Sequence, residues 1–136
     1  MGLFANFEIS GSAISAQSVR LNSTASNMAN TETLASSKAE AYRARQPVFQ
    51  AMMTRNTDPA QVGVRMLGIL ESQADVMQRY DPGHPLANGE GFVFASNVNP
   101  VEEMANMISA SRAYQNNVEV LNTSRDLLMR TLSLGK

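Results

Sequence analysis

Residues 99–134 read NPVEEMANMISASRAYQNNVEVLNTSRDLLMRTLSL, and the spacing of their apolar residues predicts one unbroken amphipathic helix. At 1.5 Å per residue this helix would be roughly 50 Å long, about three times the average for globular proteins. Asn99 suits the N-cap, Pro100 suits the first helical position, and Glu102 lies where a capping box places a carboxylate. Gly135 suits the end of the helix.

Apolar residues occupy two sides of this helix when successive residues are placed about 100° apart. The broader arc contains Met104, Met107, Ile108, Val118, Leu121, Leu128, Met129 and Leu132. A second set, which we call the narrow stripe, consists of Val120, Leu127 and Leu134 at intervals of seven residues. Two separate apolar sides predict two separate neighbours, and only one of them can be a helix of the same chain.

The N-terminal 30 residues predict a second long helix, from Leu3 to Asn30. Large apolar residues recur there every seven positions, and small residues recur beside them: Phe7, Ile14, Leu21 and Met28, then Gly11, Ser18 and Ala25. This spacing favours close helix packing with a left-handed supercoil. The segment is rich in Ser and Asn, which are weak helix formers, so packing must hold it helical. Asn30 is expected to end the helix in the left-handed C-cap conformation.

The centre of the chain predicts a small β-containing module. Residues 31–41 are expected to form a loop or weakly ordered linker, and residues 42–53 an edge strand containing Pro47. A turn-rich break at 55–63 precedes a second apolar segment and candidate strand at 62–70. Asp81-Pro82-Gly83-His84-Pro85 predicts a rigid turn, Asn88-Gly89 a hairpin, and residues 92–94 a short closing strand.

The predicted architecture is mainly α with a small β-containing centre. Residues 1–30 and 99–136 supply long N- and C-terminal helices packed as an antiparallel coiled-coil-like pair, and residues 31–98 form the central linker and module. Apolar stripes left exposed by this pair indicate partner interfaces. An interface that does not close on itself would generate a helical filament.

Composition excludes several classes of function. The 136 residues carry a net charge of -1, so bulk electrostatics give no indication of nucleic-acid binding. The chain contains no cysteine, which excludes disulfides and thiolate metal sites. It has no apolar run of the roughly 18 residues that a membrane-spanning helix needs, so we expect no membrane insertion. The first twenty residues do not resemble a cleaved signal peptide.

The candidate chemical groups are better explained by structure than by catalysis. His84 is the only histidine, lies in the predicted turn, and has no apparent co-ligands for a metal. Glu71, Asp75 and Asp81 are expected to be solvated rather than to form a catalytic pair. Nothing assembles a nucleophile, a base and an oxyanion hole, so the sequence predicts no enzyme, cofactor or metal site.

Amides and hydroxyls inside the predicted helices have two interpretations. Their members are Ser26, Asn27, Asn30, Asn116, Asn117 and Asn122. They could form hydrogen bonds between helices and fix their register, or they could simply face solvent. The sequence does not distinguish between these possibilities.

Several motifs resemble one known family. They are Ala25-Ser26-Asn27-Met28-Ala29-Asn30, Asn97-Val98-Asn99-Pro100-Val101-Glu102-Glu103-Met104, Ser111-Arg112-Ala113-Tyr114-Gln115, residues 117–123, Tyr42-Arg43-Ala44-Arg45, Val48-Phe49-Gln50, residues 80–87 and residues 91–93. Together they resemble the flagellar axial proteins, in particular the short proteins of the proximal rod. Many axial proteins continue the asparagine motif with Thr-x-Gly-Tyr or Thr-x-Gly-Phe. Residues 31–34 depart from that pattern, which argues against a hook or distal-rod paralogue.

The resemblance implies a structural subunit of the bacterial flagellar basal body. Such proteins leave the cell unfolded through the flagellar type III export apparatus. They polymerise into the rod, which crosses the periplasm, transmits torque and surrounds the export channel. Implied partners are further copies, other proximal and distal rod subunits, and the basal adaptor protein at the export gate. The alternative is a soluble helical adaptor in a closed complex with a single partner. A further rival, an enzyme with its site in residues 42–98, has little support.

The sequence and the resemblance together predict a set of subunit-interface residues. They are Phe7, Ile14, Leu21, Asn27, Met28, Asn30, Met104, Tyr114, Asn117, Val120, Leu121, Leu127, Leu128 and Leu134.

Overall fold

Two long helices form the ends of the chain. A computed structural model describes residues 3–53 and 62–135. Helix α1 spans Leu3–Ala29 and helix α2 spans Pro100–Leu134, and the two pack against each other. The predicted class, mainly α with a small β centre, is confirmed. Neither helix, over its described residues, is long and apolar enough to cross a membrane.

Helix α2 begins at the predicted N-cap, Asn99, with the predicted proline, Pro100, in its first turn. The Asn99 side chain accepts hydrogen bonds from the backbone N–H groups of Val101, at 3.1 Å, and Glu102, at 3.4 Å. Pro100 occupies the first turn, where its missing N–H group leaves no hydrogen bond unmade. The helix then runs to Leu134 without interruption, so it contains the whole narrow stripe.

Helix α1 ends differently from the prediction. No non-glycine residue in the described ranges has a positive φ, so Asn30 does not adopt the left-handed conformation. Its Nδ2 instead donates to the Ser26 carbonyl at 2.8 Å, and Thr31 Oγ1 donates to the Asn27 carbonyl at 3.2 Å. These side-chain bonds add to the backbone bonds that the Asn30 N–H group makes to the same two carbonyls.

Within residues 31–53 and 62–98, the centre forms five strands in two antiparallel sheets. Strands β2, Arg45–Met52, and β3, Gly63–Glu71, form a two-stranded sheet. Strands β1, Leu34–Ala35, β4, Met77–Tyr80, and β5, Phe92–Ala95, form a three-stranded sheet in the order β1-β5-β4. β1 lies within residues 31–41, which were predicted as loop or linker, and that prediction missed it because two residues carry no periodic signal. Most of the predicted break at 55–63 lies outside the described residues.

A β-bulge interrupts the pairing of β2 with β3. Val48 lies opposite Gly68, whereas Phe49 lies opposite Met66, so Leu67 has no cross-strand partner. The extra residue shifts the alternation of side chains between the two faces of β3. Pro47 is tolerated because β2 is an edge strand within the described residues.

The connection between β4 and β5 is longer than a two-residue hairpin. Tyr80 pairs with Phe92, and residues 81–91 form the loop between them. Asn88 Oδ1 accepts from the backbone N–H groups of Glu90, at 3.0 Å, and Phe92, at 2.9 Å. The positive φ, +81°, falls at Gly91 rather than at Gly89. Asn88-Gly89 therefore lies in a turn inside the loop of the predicted hairpin, which joins the antiparallel strands β4 and β5 through residues 81–91.

The interior of the protomer is made of small residues. Among the described residues, the buried apolar ones are Ala16, Ala41, Ala44, Val76, Val93, Val98 and Ala110. Larger aliphatic side chains and methionines are only half-buried or are exposed. Hydrophobic stabilisation scales with the apolar area removed from water. A single chain leaves much of its apolar surface exposed and therefore gains little of this stabilisation.

Candidate assembly interface

Asn27 forms a fully satisfied polar junction at the end of α1. Its side chain is 1% exposed. Oδ1 accepts from Tyr42 Oη at 3.0 Å and from the Arg45 N–H group at 2.8 Å. Nδ2 donates to the Arg45 carbonyl and to Glu103 Oε1, each at 2.9 Å. Both donors and both lone pairs of the amide are therefore used. We call this set of residues the Asn27 junction.

Hydroxyl groups of α1 reinforce the Asn27 junction. Ser23 Oγ donates to the Arg45 carbonyl at 2.7 Å, and Ser26 Oγ lies 3.2 Å from Tyr42 Oη. The Ser and Asn content that makes α1 a weak helix in isolation thus supplies hydrogen bonds to the central module.

A second amide joins the central strands to the entrance of α2. Asn97 Oδ1 accepts from the Ala44 N–H group at 2.7 Å, and its Nδ2 donates to the Ala74 carbonyl at 2.9 Å. Asn97 therefore connects the residue before β2 with the segment between β3 and β4. The two helices and both sheets meet at this end of the molecule.

The junction corrects one predicted interface residue. Asn27 was expected at the subunit interface, but its side chain lies inside the protomer, where four hydrogen bonds join it to Tyr42, Arg45 and Glu103. Asn117 Nδ2 donates to the Ala113 carbonyl of its own helix at 2.7 Å, while Asn116 and Asn122 are exposed. Of the two interpretations of the helical amides, hydrogen bonding between elements is correct for Asn27, and exposure to solvent is correct for Asn116 and Asn122.

The other predicted interface residues lie on the surface or close to it. Phe7, Ile14, Leu21, Met28, Asn30, Tyr114, Asn117, Leu121 and Leu128 are half-buried, and Met104 is exposed. The broad arc of α2 is divided, because Met107 and Val118 are half-buried whereas Ile108, Met129 and Leu132 are exposed. The contact between α1 and α2 therefore covers only part of the predicted arc.

The narrow stripe faces away from the rest of the chain. Leu127 is 52% exposed and Leu134 is 85% exposed, and Val120 is similar to Leu127. From Met129 to Gly135 every residue is exposed. The last two turns of α2 therefore have no covering partner within the described part of the protomer.

A second set of exposed apolar side chains lies on the β2–β3 hairpin, on both faces of its sheet, since consecutive residues such as Ile69 and Leu70 point to opposite faces. It comprises Met52, Met53, Met66, Leu67, Ile69 and Leu70, and we call it the hairpin patch. Leu67, at the bulge, is 58% exposed, and Leu70 is 64% exposed. Sequence analysis missed this patch. The sequence shows the run of apolar residues in the candidate strand at 62–70. It does not show which face of that strand packs against the rest of the chain.

A polar groove of about 360 Å³ separates α1, β2 and the start of α2. Its lining includes two arginines and two glutamates: Arg20, Arg45, Glu102 and Glu103. Arg20 donates to Asn106 Oδ1 at 3.1 Å, and Gln17 Oε1 is buried without a hydrogen-bond partner among the described residues. The groove's opposite charges balance, and it contains no nucleophile positioned by a base.

His84 and Asp75, two ionisable residues of the central module, form hydrogen bonds with neighbouring residues of the module. His84 Nδ1 accepts from the Leu86 N–H group at 3.1 Å, as part of the loop between β4 and β5. A hydrogen bond from Lys38, together with its charge, lowers the pKa of the Asp75 carboxyl on the surface. In residues 3–53 and 62–135, no three His, Cys, Asp or Glu side chains group as metal ligands would.

Comparison with known proteins connects these surfaces to a family. Residues 90–134 match the family model described as the C-terminal region of flagellar basal body rod proteins FlgEFG. The chain is 46% identical to the flagellar basal-body rod protein FlgC of Salmonella typhimurium, and the alignment covers 100% of both chains. The corresponding proteins of Escherichia coli O157:H7 and Yersinia enterocolitica are 47% and 46% identical, again over the full length of both chains.

Proposed function

Because the chain belongs to the FlgC family of flagellar basal-body rod proteins, we propose that exposed apolar faces of its terminal helices join it to neighbouring rod subunits. The chain is a structural subunit of the proximal rod, located in the basal body where the rod spans the periplasm, and it is not an enzyme. The proposal concerns how it assembles and with which partners.

We propose that α1 and α2 form an antiparallel coiled-coil-like pair. Asn27 bonds to Glu103, and Arg20 bonds to Asn106. As the position in α1 decreases, the position of its partner in α2 increases, which is the order expected of helices running in opposite directions. The seven-residue repeat of apolar residues in α1 supports the coiled-coil-like packing.

The proposed interface consists of the predicted residues without Asn27. They are Phe7, Ile14, Leu21, Met28, Asn30, Met104, Tyr114, Asn117, Val120, Leu121, Leu127, Leu128 and Leu134. The observation that carries this proposal is the exposure of Leu127 and Leu134 on a helix of a protein whose buried apolar residues, within the described ranges, are alanines and valines. Burial of these side chains between subunits would provide the stabilisation that the protomer lacks.

We propose that the chain divides into a helical core and a central module. Residues 1–30 and 99–136 would form the helical core of the subunit, and residues 31–98 the central module. The Asn27 junction connects the two through Tyr42, Arg45 and Glu103. Such a connection would let the module and the helices move as one body, which suits a subunit that transmits torque.

The proposed partners are further copies of the chain, other proximal and distal rod subunits, the adaptor protein at the export gate, and the type III export apparatus. Family membership supports assembly with rod subunits, and the exposed helix ends provide surfaces for it. A closed complex with one soluble partner would not need two separate apolar surfaces, and membership in a rod family disfavours it.

Deletion of the gene tests the proposed function. We expect basal bodies imaged by electron microscopy to lack the rod, swimming to be lost, and the intact gene supplied on a plasmid to restore both. Basal bodies with complete rods in swimming cells that lack the protein would refute the proposal.

A further inference from the structure

We propose that the polar groove between α1, β2 and the start of α2 receives an extended, uncharged segment of a neighbouring rod subunit. The inference rests on the proposed function and deepens it, because it names a contact that the apolar helix faces do not include. It is based on two polar side chains of α1 that line the groove and have no hydrogen-bond partner among the described residues.

Gln17 contributes an acceptor without a donor to the wall of this groove. Its Oε1 atom is buried, and no donor of residues 3–53 and 62–135 reaches it. A buried acceptor that lacks a donor is unfavourable, and such groups are rare in native structures. Gln17 therefore indicates a donor that the described part of the protomer does not supply.

Thr24 contributes a second polar group, two helical turns from Gln17. This residue is 4% exposed, it lines the groove, and its hydroxyl makes no hydrogen bond to another described residue. Positions seven apart in a helix lie on nearly the same side, roughly 10 Å apart along its axis. About three residues of extended chain span that distance. The spacing therefore fits a short extended segment that runs along α1 and meets both groups.

The charged residues that line the groove are already compensated within the chain. Arg20 donates to Asn106 Oδ1 at 3.1 Å, and Arg45 Nε lies 3.6 Å from Glu71 Oε1. The two glutamates of the lining lie in the first turn of α2, where the helix dipole favours carboxylates. A charged ligand would lose its water without gaining a counter-ion, which is unfavourable. The groove therefore fits an uncharged polar ligand better than a charged one.

A peptide backbone offers both kinds of group that the α1 wall lacks. A backbone N–H group can donate to Gln17 Oε1, and a backbone carbonyl can accept from the Thr24 hydroxyl. The groove volume of about 360 Å³ lies in the range in which proteins bind ligands and far exceeds the space of one water molecule. Because the chain assembles with other rod subunits, a neighbouring subunit is the source of peptide that the family supports.

Photocrosslinking in basal bodies tests whether the groove is occupied. Gln46, which is exposed and lines the groove, is replaced by p-benzoylphenylalanine in the full-length chain, expressed as the only copy in flagellated cells. After irradiation, we expect an adduct larger than one chain in which residue 46 is joined to an uncharged segment of a rod subunit, identified by mass spectrometry. Gln78, which is exposed on β4 and lies outside the groove, is the matched control and should not give that adduct.

The crosslinked peptide distinguishes two sources of the segment. A peptide of this same sequence, in an adduct of two chains, indicates a second copy, whereas a peptide of another rod protein indicates a different neighbour. Either result supports the proposal. Basal bodies that contain the Gln46 variant but give no such adduct would refute it, since the groove would then hold only water. Failure of the proposed function would look different, because cells lacking the chain would then swim.

Replacement of Gln17 provides a second test that does not require crosslinking. Gln17→Met keeps the length of the side chain and removes the acceptor. We expect the urea midpoint of the isolated chain not to fall, because the described protomer supplies no donor to that acceptor, whereas the amount of chain in purified basal bodies should fall about tenfold. Gln73→Met, at an exposed position outside the groove, should change neither value. A lower midpoint for Gln17→Met, or equal incorporation of the two variants, would contradict the inference.

Discussion

Asn27 donates a hydrogen bond to Glu103 across 2.9 Å, and both side chains are buried where the first helix of the chain ends and the last begins. These residues are 76 positions apart. The same amide also bonds to both backbone polar groups of Arg45, so it fixes the central module relative to the helices. Loss of this one side chain would leave Glu103 Oε1 and the Arg45 N–H group without their hydrogen-bond partner.

Asn27→Ala is therefore expected to weaken rod assembly. Removing the amide takes away the hydrogen-bond partner of Glu103 Oε1 and of the Arg45 N–H group, at a cost of about 1–3 kcal/mol for each buried group, while the Arg45 carbonyl keeps its bond from Ser23. We expect at least about a tenfold loss of the chain from purified basal bodies, measured by quantitative immunoblotting, together with reduced swimming. Asn22→Ala is the matched control, since Asn22 is exposed on the same helix. Equal incorporation of the two variants would show that the junction is dispensable.

Leu127→Asp is expected to block entry into the rod while leaving export intact. The charge would have to be buried at the proposed interface, which is costly without a partner. The chain should still appear outside the cytoplasm, and motility should be lost. Asn122→Asp adds the same charge at an exposed position on another side of α2 and should swim normally. Unimpaired swimming of the Leu127→Asp strain would show that the stripe faces no partner.

Gly91→Ala is expected to destabilise the central module. Gly91 has a φ of +81°, and an added Cβ would lie 2.9 Å from Tyr80 Cε2 and 3.1 Å from Pro82 Cβ. We expect a loss of about 1–3 kcal/mol, measured by urea unfolding of the purified chain. A Cβ at Gly89, in the same loop, would meet nothing within 4 Å, so Gly89→Ala is the control. Comparable stability of both variants would refute the strain argument.

The isolated chain is expected to contain less helix than α1 and α2 together require. Helices rich in Ser and Asn with few large buried side chains lose their stabilisation when their neighbours are absent. Circular dichroism of the purified monomer measures this directly, with assembled basal-body material as the comparison. A fully helical monomer that remains monomeric would contradict it.

Local sequence signals predicted the helices well. Asn99 and Pro100 defined the start of α2 because a cap depends on neighbouring residues, and the apolar spacing of Val120, Leu127 and Leu134 gave the exposed stripe. The strands around Pro47 and Phe92 also followed from local composition. These features need no information from distant parts of the chain.

Features that depend on distant partners could not be obtained this way. Asn27 resembles any helical asparagine until Tyr42, Arg45 and Glu103 surround it. Exposure of the hairpin patch depends on where α1 stops covering β3 and on the bulge at Leu67. Asn30 was assigned the left-handed conformation on residue type alone, whereas backbone and side-chain donors of Asn30 and Thr31 together form the actual helix end.

The interior of alanines and valines also bears on how such a molecule travels. Under the proposed export of the chain, a subunit that buries few large side chains would unfold under a small force and would pass through a narrow channel with little resistance. The subunit would then become rigid only after assembly, when the apolar faces of neighbouring subunits bury one another. An interior with few large side chains would thus suit both the export of the chain and its place in the assembled rod.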